Sequence, residues 1–166
     1  MSATVFSDSM IEALVAAAAA HPRRRLHRNV HRSYDDPCQR LFNAIGVDSY
    51  IRPHRHSLDP RDECLVAVRG AMALLVFDDC GAIRQAARFG VPAANMTERL
   101  NAGVEVPAGV WHTVVALAPG SVLFEVKAGP FDPAQAKEFA PWAPEEGSAA
   151  AQGYLAQLKR AVGSSW

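Results

Sequence analysis

The sequence predicts a mainly β protein, a sandwich or barrel of short strands with a helix near each end. Between residues 39 and 127 it contains eight short segments that are rich in apolar residues and are separated by turn residues. Residues 78–81, Asp-Asp-Cys-Gly, are typical of a hairpin loop, and Pro119-Gly120 is typical of a tight turn. Strands and helices do not alternate along this stretch, so a parallel α/β sheet is disfavoured.

The local sequence also predicts the helices that flank these strands. A serine or aspartate at positions 7–9 can cap a first helix, which is rich in alanine and ends near residue 20 because His21-Pro22 follows. Residues 23–38 are predicted to be irregular. A second helix is predicted over residues 149–162, with an apolar side made of Tyr154, Leu155, Leu158 and Val162. The predicted strands between the helices occupy residues 39–46, 50–56, 63–69, 71–77, 82–89, 103–106, 111–117 and 121–127.

We expect one structural domain in three parts. These are an N-terminal helix and arginine-rich extension over residues 1–35, a barrel over 36–130, and a proline-rich tail with the C-terminal helix over 131–166. The tail is predicted to be extended, with one short helical turn near 134–139. Barrels of this kind often pair through edge strands or exchanged termini, so we expect a homodimer, with the N-terminal extension as a candidate contact.

Composition and charge bound the possible partners. The chain has 166 residues, with 17 Lys and Arg against 17 Asp and Glu, and this balance favours neither nucleic acid nor a membrane surface as a partner. Three scattered cysteines without a Cys-x-x-Cys pair are typical of a reduced, cytoplasmic protein. The alanine-rich run over residues 13–20 follows acidic rather than basic residues and is too short to span a bilayer, so we do not expect a signal or membrane segment.

A split set of histidines predicts a metal site. His54-x-His56 lies in a predicted strand, whose alternating side chains would point both imidazoles to the same side. Glu63 begins the next predicted strand, and His112 follows the turn Pro107-Ala108-Gly109. Three imidazoles and a carboxylate suit one divalent ion such as Fe, Mn, Zn or Ni, and on a six-coordinate ion they leave two positions for substrate or dioxygen. With zinc, the same four ligands could instead close a purely structural site.

Tyr50 and Arg52 are the predicted substrate contacts. They alternate in step with the two histidines, so a regular strand over residues 50–56 would place them on the ligand side. Arg52 could hold an anionic group through a bidentate fork, and Tyr50 could act as an acid or a hydrogen-bond donor. The alternative for Arg52 is an internal ion pair with an acidic neighbour.

Other polar and aromatic residues suggest structural roles. Glu125 and Lys127 share one face of a predicted strand and are expected to pair with each other. Gln39 and Arg40 point to opposite faces of their strand, and either could look into the barrel. Trp142, which lies among prolines, is expected to pin the C-terminal tail to the barrel.

The metal-site residues form two motifs that resemble those of the cupin superfamily. The first combines His54-x-His56 with Glu63-x6-Gly70, and the second is Gly103-x3-Pro107-x-Gly109-x2-His112. Residues 36–41, 50–56, 68–70, 124–130 and 139–144 extend this likeness to the WbuC-type cupin metalloproteins, over roughly residues 20–147. The resemblance implies a cupin double-stranded β-helix, or jelly-roll, barrel with a metal at its mouth.

Two departures from the cupin pattern concern the ligands. Cupins usually have fewer residues between the second His and the Glu, whereas six separate His56 from Glu63 here. Glu63 keeps its usual distance to the following glycine, which favours it as the ligand, but Asp59 or Asp62 could compete. The Asn that often ends the second motif is Ala116 here, at a position that is usually not a ligand.

The resemblance implies an association with bacterial polysaccharide and O-antigen gene clusters, without a defined activity. We therefore expect a metalloprotein that acts on a small polar or sugar-derived substrate, by isomerase-, epimerase- or dioxygenase-type chemistry. The alternative is a non-enzymatic module that binds a carbohydrate or small acid through the same metal. A structural zinc site in a scaffold protein is a third hypothesis.

Overall fold

Two five-stranded sheets, both with antiparallel pairing, pack face to face. The computed structural model describes residues 3–92 and 100–164. In chain order its elements are α1 Asp8–Ala20, β1 Arg25–Asn29, β2 Cys38–Ile45, β3 His54–Arg55, β4 Glu63–Arg69, β5 Ala71–Phe77, β6 Ile83–Gly90, β7 Gly103–Val106, β8 Trp111–Ala116, β9 Ser121–Ala128, β10 Glu138–Phe139 and α2 Ala151–Ser164. The first sheet has the strand order β1-β2-β9-β4-β7, and the second has the order β10-β3-β8-β5-β6. This arrangement confirms the predicted jelly-roll sandwich with a short helix near each end.

The predicted strands are present, with three differences from the structure. The strand expected over residues 50–56 shrinks to His54–Arg55. The prediction that residues 23–38 are irregular is wrong for Arg25–Asn29, which pairs with β2 along its whole length. The helical turn expected near 134–139 is also wrong at its end, since Glu138–Phe139 pairs with β3. Neither added strand was predictable from alternation, because β1 contains a single apolar residue and β10 has only two residues.

The space between the sheets is apolar at one end and polar at the other. Its apolar end is filled by Ile45, Leu65, Met72, Leu74, Phe89, Val106, Val114, Ala116 and Leu123. Side chains of a strand alternate, so residues two and four positions beyond Leu123 face the same interior. These residues are Glu125 and Lys127, which line the cavity at the other end. The same alternation of side chains therefore places Leu123 in the apolar core and the charged Glu125 and Lys127 at the polar end of the sandwich.

The second sheet is covered on its outer face by α2. Leu75 and Phe77 of β5 pack under this helix, while Met72 and Leu74 face the sandwich interior. Burial on both faces explains why β5 is an unbroken apolar run. The helix buries Ala151, Leu155, Leu158 and Val162, which matches most of the predicted apolar side. Each large apolar side chain buried in this way contributes about 1.5–3 kcal/mol.

The first sheet is covered on its outer face by α1. Ser7 caps the helix as expected, since its side chain accepts a hydrogen bond from the backbone N–H of Met10. Ile11, Leu14 and Ala18 follow one another at helical spacing and are buried. They pack against Phe42, Ala44 and Val122 of the sheet. The apolar side of α1 is therefore used within the chain.

Candidate metal centre

The four predicted ligands meet at the polar end of the sandwich. His54 of β3 lies directly opposite His112 of β8 in the second sheet. His56 follows β3, and Glu63 begins β4 in the facing sheet. Their ligand atoms all lie within 4.8 Å of one another, and all four residues are buried. The sequence therefore identified a group that is assembled from both sheets and could hold a metal ion.

Each imidazole of the group is oriented by a backbone carbonyl. The Nδ1–O distances are 3.0 Å from His54 to Arg52, 2.5 Å from His56 to Ala136 and 2.8 Å from His112 to Val110. A carbonyl oxygen can only accept a hydrogen bond, so Nδ1 of each ring is the donor, and in a neutral ring Nε2 then carries the lone pair. Histidines that bind a metal through Nε2 are commonly held in this way.

The Glu63 carboxylate faces these lone pairs. Its Oε1 lies 3.0 Å from Nε2 of His56, and its Oε2 lies 3.4 Å from Nε2 of His112. The Nε2 atom of His56 is buried and has no hydrogen-bond partner among the described residues. Lone pairs and a carboxylate this close together repel one another unless a proton or a metal ion lies among them. The donor set therefore fits a divalent metal ion.

The protonation states suit the same interpretation. Burial, together with the positive charge of Lys137, lowers the pKa of His54 well below its ordinary value, so this ring is neutral. Burial alone would raise the pKa of Glu63, but hydrogen bonds from His112 and His56, in the absence of a metal ion, and the positive charge of Lys127 lower it well below the usual range. A neutral imidazole and an ionised carboxylate are the forms that bind metals.

Lys127 is a part of the site that the sequence analysis missed. Its Nζ lies 3.1 Å from Oε1 of Glu125, which confirms the predicted pairing of these two residues. The same Nζ also lies 2.9 Å from Oε1 of Glu63. Burial alone would lower the pKa of Lys127, but the two carboxylates raise it above its ordinary value. The second contact exists because β4 and β9 are neighbours and Glu63 lies opposite Lys127. Neither strand's own sequence predicts which strand pairs with it.

The two competing aspartates are engaged elsewhere. Oδ1 of Asp62 accepts a hydrogen bond of 2.8 Å from the backbone N–H of Ala108. Oδ1 of Asp59 lies 3.0 Å from Nε of Arg61. Neither belongs to the buried group of possible ligands. Of the three carboxylates considered from the sequence, Glu63 is therefore the one that the structure places in the site.

Tyr50 and Arg52 do not share the ligand side, so this part of the sequence prediction is wrong. The Tyr50 hydroxyl donates a hydrogen bond of 2.9 Å to the carbonyl of Pro144, and its ring packs among residues under α2. Arg52 donates a hydrogen bond of 2.9 Å to the carbonyl of Ala140 and lies 3.7 Å from Glu145. The period-two argument fails because the regular strand begins only at His54. A substrate role for these two residues stays a prediction. The ion pair of Arg52 with Glu145 agrees with the alternative considered above, an internal ion pair with an acidic residue.

The structure also resolves two questions from the sequence: which of Gln39 and Arg40 points inward, and what Trp142 contacts. Gln39 is the member of its pair that points inward, with 2% of its surface exposed, and its amide donates hydrogen bonds to the carbonyls of Tyr34 and Asp36. The Trp142 ring packs 5.0 Å from the ring of Phe77, between centroids, and so pins the tail to the sandwich as expected. These contacts hold the segments that surround the polar end.

Two adjoining cavities open at the polar end of the sandwich. The inner cavity, of about 50 Å³, is lined by His54, Glu63 and His112. The outer cavity, of about 240 Å³, lies between β1, β2 and the tail. Four residues line both: Asn43, Ile51, Glu125 and Lys137. A small molecule in the outer cavity would therefore lie next to the possible metal ligands.

A jelly-roll sandwich with this His, His, Glu and His group at its open end has a cupin-type fold. The chain belongs to the family DUF6016, described as a domain of unknown function, whose model matches residues 6–89, half of the chain. This matched range includes His54, His56 and Glu63, whereas His112 lies beyond it. No curated protein matches the chain.

Solved structures share this fold at low sequence identity. Protein SO0799 from Shewanella oneidensis is 15% identical, with a TM-score of 0.56, and the alignment covers 86% of this chain and 87% of that one. Oxalate decarboxylase from Bacillus subtilis is 14% identical, with a TM-score of 0.50, and the alignment covers 69% of this chain and 27% of that one. These likenesses support the cupin fold and, at such identities, nothing more specific. In the described residues, no helix has the length and apolar character needed to cross a membrane.

Proposed function

We propose that this chain is a cupin metalloprotein that binds one divalent cation and acts on a small polar, sugar-derived substrate. His54, His56, Glu63 and His112 would hold the ion. One observation carries the proposal: three imidazoles, each hydrogen-bonded through Nδ1 to a backbone carbonyl, converge on one buried carboxylate. A bound divalent ion would supply Lewis acidity and, if it were iron, dioxygen activation.

The surrounding residues would keep the site ready for the ion. The carbonyls of Arg52, Ala136 and Val110 fix the three rings with Nε2 toward Glu63. The positive charge of Lys127 stabilises the ionised form of Glu63 inside the protein, where bulk water does not solvate the carboxylate. Burial of the group on all sides but the cavity limits the access of solvent, which strengthens electrostatic contacts with a substrate. The likeness of five sequence segments to WbuC-type cupins supports a substrate from polysaccharide metabolism.

The metal part of the proposal is tested by elemental analysis of untagged protein purified without added metal or chelator. We expect one equivalent of a divalent metal per chain in the wild type and a loss of most of it in His112→Ala. His21→Ala is the matched control, because His21 lies at the end of α1 and its ring accepts a hydrogen bond from the backbone of Arg23. Wild-type protein that contains no metal and takes up no added Mn²⁺, Fe²⁺, Ni²⁺ or Zn²⁺ would overturn the proposal.

Catalysis is tested separately from binding. Metal-loaded protein would be incubated with sugars and sugar acids, with and without oxygen, and the products followed by NMR. Turnover by the wild type that is absent in His112→Ala, with the fold of the variant retained, supports an enzyme. Stabilisation of the wild type by a sugar without any product would instead identify a binding module.

A further inference from the structure

The outer cavity is unusually rich in positive charge for a chain with no net charge. Its lining includes four cationic side chains and a single carboxylate: Arg23, Arg25, Lys127, Lys137 and Glu125. Two histidines, His27 and His31, also line it. Since the whole chain has equal numbers of acidic and basic residues, this lining is a local concentration of charge. Cavities lined by one sign of charge attract ligands of the opposite sign.

Some of these cations are already neutralised and others are not. Arg25 lies 2.6 Å from Glu146, and Lys127 pairs with Glu63 and Glu125. Arg23 and Lys137 make no ion pair within 4.0 Å in the described part of the chain. Neither charge is therefore neutralised by a direct ion pair, although Glu63 and Glu125 lie near enough to Lys137 to act on its charge.

A histidine in this lining offers a further polar contact. Nδ1 of His31 lies 3.0 Å from the backbone nitrogen of Arg40, from which it can accept, and 2.9 Å from the carbonyl oxygen of Arg40, to which it can donate. Nε2 of the same ring is buried and has no hydrogen-bond partner among the described residues. In the tautomer in which Nδ1 accepts from Arg40, Nε2 carries the proton and is a donor without an acceptor among the described residues. Burial and the charges of Arg23 and Lys137 lower the pKa of His27, which is a sign of the positive field in this cavity.

Lys137 connects the cavity to the possible metal ligands. It lines the outer cavity with Arg23 and the inner cavity with His54 and Glu63. It lies in the tail, directly after Ala136, whose carbonyl orients His56. A ligand held by Lys137 would therefore reach from the outer cavity toward the metal centre.

We propose that the outer cavity binds the anionic group, a carboxylate or phosphate, of a small substrate whose other end lies at the metal centre. Lys137 and Arg23 supply the charge, and His31 supplies a hydrogen bond in the tautomer that carries its proton on Nε2. This inference rests on the proposed function. It adds that the substrate has an acidic group, which binding to the metal ion alone would not require. It also moves the anion contact from Arg52, where the sequence placed it, to residues of the tail and of the segment before β1.

The test is calorimetric titration of the purified full-length protein with inorganic phosphate, D-glucuronate and D-glucose. Phosphate needs no recognition of a sugar ring, and glucose is the neutral counterpart of glucuronate. We expect millimolar or tighter binding of at least one anion and none of glucose. The anion that binds identifies the acidic group as a phosphate or a carboxylate.

The variant Lys137→Gln is expected to weaken anion binding about tenfold or more, because it removes a charged donor from the cavity. Lys137 is exposed, so the variant should fold, and far-UV circular dichroism checks this. Arg28→Gln is the matched control, since Arg28 is an exposed cation of β1 that does not line the cavity, and its affinity should stay within twofold of the wild type. Arg23→Gln should weaken binding as Lys137→Gln does.

Three results would overturn the inference: no binding of either anion, equal binding of glucose and glucuronate, or wild-type affinity in both cavity variants. Elemental analysis of the same samples separates this failure from failure of the proposed function. Metal uptake without anion binding contradicts only the anion site. Anion binding to protein that takes up no metal contradicts the proposed function and leaves the anion site standing.

Discussion

Lys127 and Glu63 lie opposite each other on neighbouring strands, with Nζ of the lysine 2.9 Å from Oε1 of the glutamate. The same glutamate is the carboxylate of the candidate metal centre. Lys127 therefore neutralises part of the negative charge before any ion binds, and it competes with that ion for the carboxylate. This pairing lets four metal-ligating groups be buried together in the folded protein without a large electrostatic penalty.

The variant Lys127→Met should lower the free energy of unfolding of the chelator-treated protein by about 3–5 kcal/mol, because it leaves Glu63 and Glu125 buried without a cation. Added Mn²⁺ should raise the melting temperature of the variant more than that of the wild type. Urea denaturation with and without metal measures both effects. Arg84→Met is the control, since its exposed pair with Asp78 is expected to be worth less than about 1 kcal/mol. Equal losses in the two variants would contradict the role of Lys127.

Tyr50→Phe should lower the free energy of unfolding by about 1 kcal/mol, because it removes the hydrogen bond to the carbonyl of Pro144. The metal content should not change, since the Tyr50 hydroxyl lies against the tail and outside the group of ligands. Chemical denaturation and elemental analysis measure the two quantities. A variant with normal stability but reduced turnover would instead restore Tyr50 as a substrate contact.

Three glycines should respond differently to alanine. Gly147 has a φ of +79° and open space around it, so its replacement should cost about 1–2 kcal/mol from backbone conformation alone. Gly70 has a φ of +71°, and a Cβ there would lie 2.5 Å from Oγ of Ser121, so Gly70→Ala should cost clearly more. Gly153 lies inside α2 with nothing near it, and its replacement should stabilise the protein by about 0.5–1 kcal/mol. Thermal and urea unfolding of the three variants would test this order.

Leu158→Ala should lower the free energy of unfolding by about 2–5 kcal/mol, because it opens a cavity between α2 and the second sheet. Gln157→Ala, at an exposed position of the same helix, should change it by less than about 0.5 kcal/mol. Metal content should stay at the wild-type level in both variants at temperatures where they are folded. A loss of metal from folded Leu158→Ala would show that α2 shapes the metal centre.

The candidate metal ligands were predictable because their signal is local. His54-x-His56 and the Pro-x-Gly turn before His112 each set the direction of a side chain within a few residues. Glu63 was identified by its distance from a following glycine, and that glycine, Gly70, does adopt a left-handed conformation between β4 and β5. The extra residues between His56 and Glu63 lie in the loop before β4, so they do not change the position of Glu63 relative to Gly70.

The errors arose where long-range contacts decide the structure. Tyr50 and Arg52 precede Pro53, which cannot donate a hydrogen bond to a neighbouring strand, and their side chains are held by the C-terminal tail. The contact between Lys127 and Glu63 requires the strand order of the first sheet. The cationic cavity joins β1, β2 and a tail segment about a hundred residues later, and no periodicity within one segment could predict it.

The donor groups of the metal centre are divided between the two sheets, with three imidazoles on one side and one carboxylate on the other. Within residues 3–92 and 100–164, no hairpin or single sheet contains all four candidate ligands, so a partly folded molecule offers an ion only a fragment of the site. An ion held by all four groups fastens the two halves of the sandwich together. An ion that binds only the folded protein would add its binding free energy to the stability of the whole fold, so that removing it would lower the temperature at which both sheets unfold.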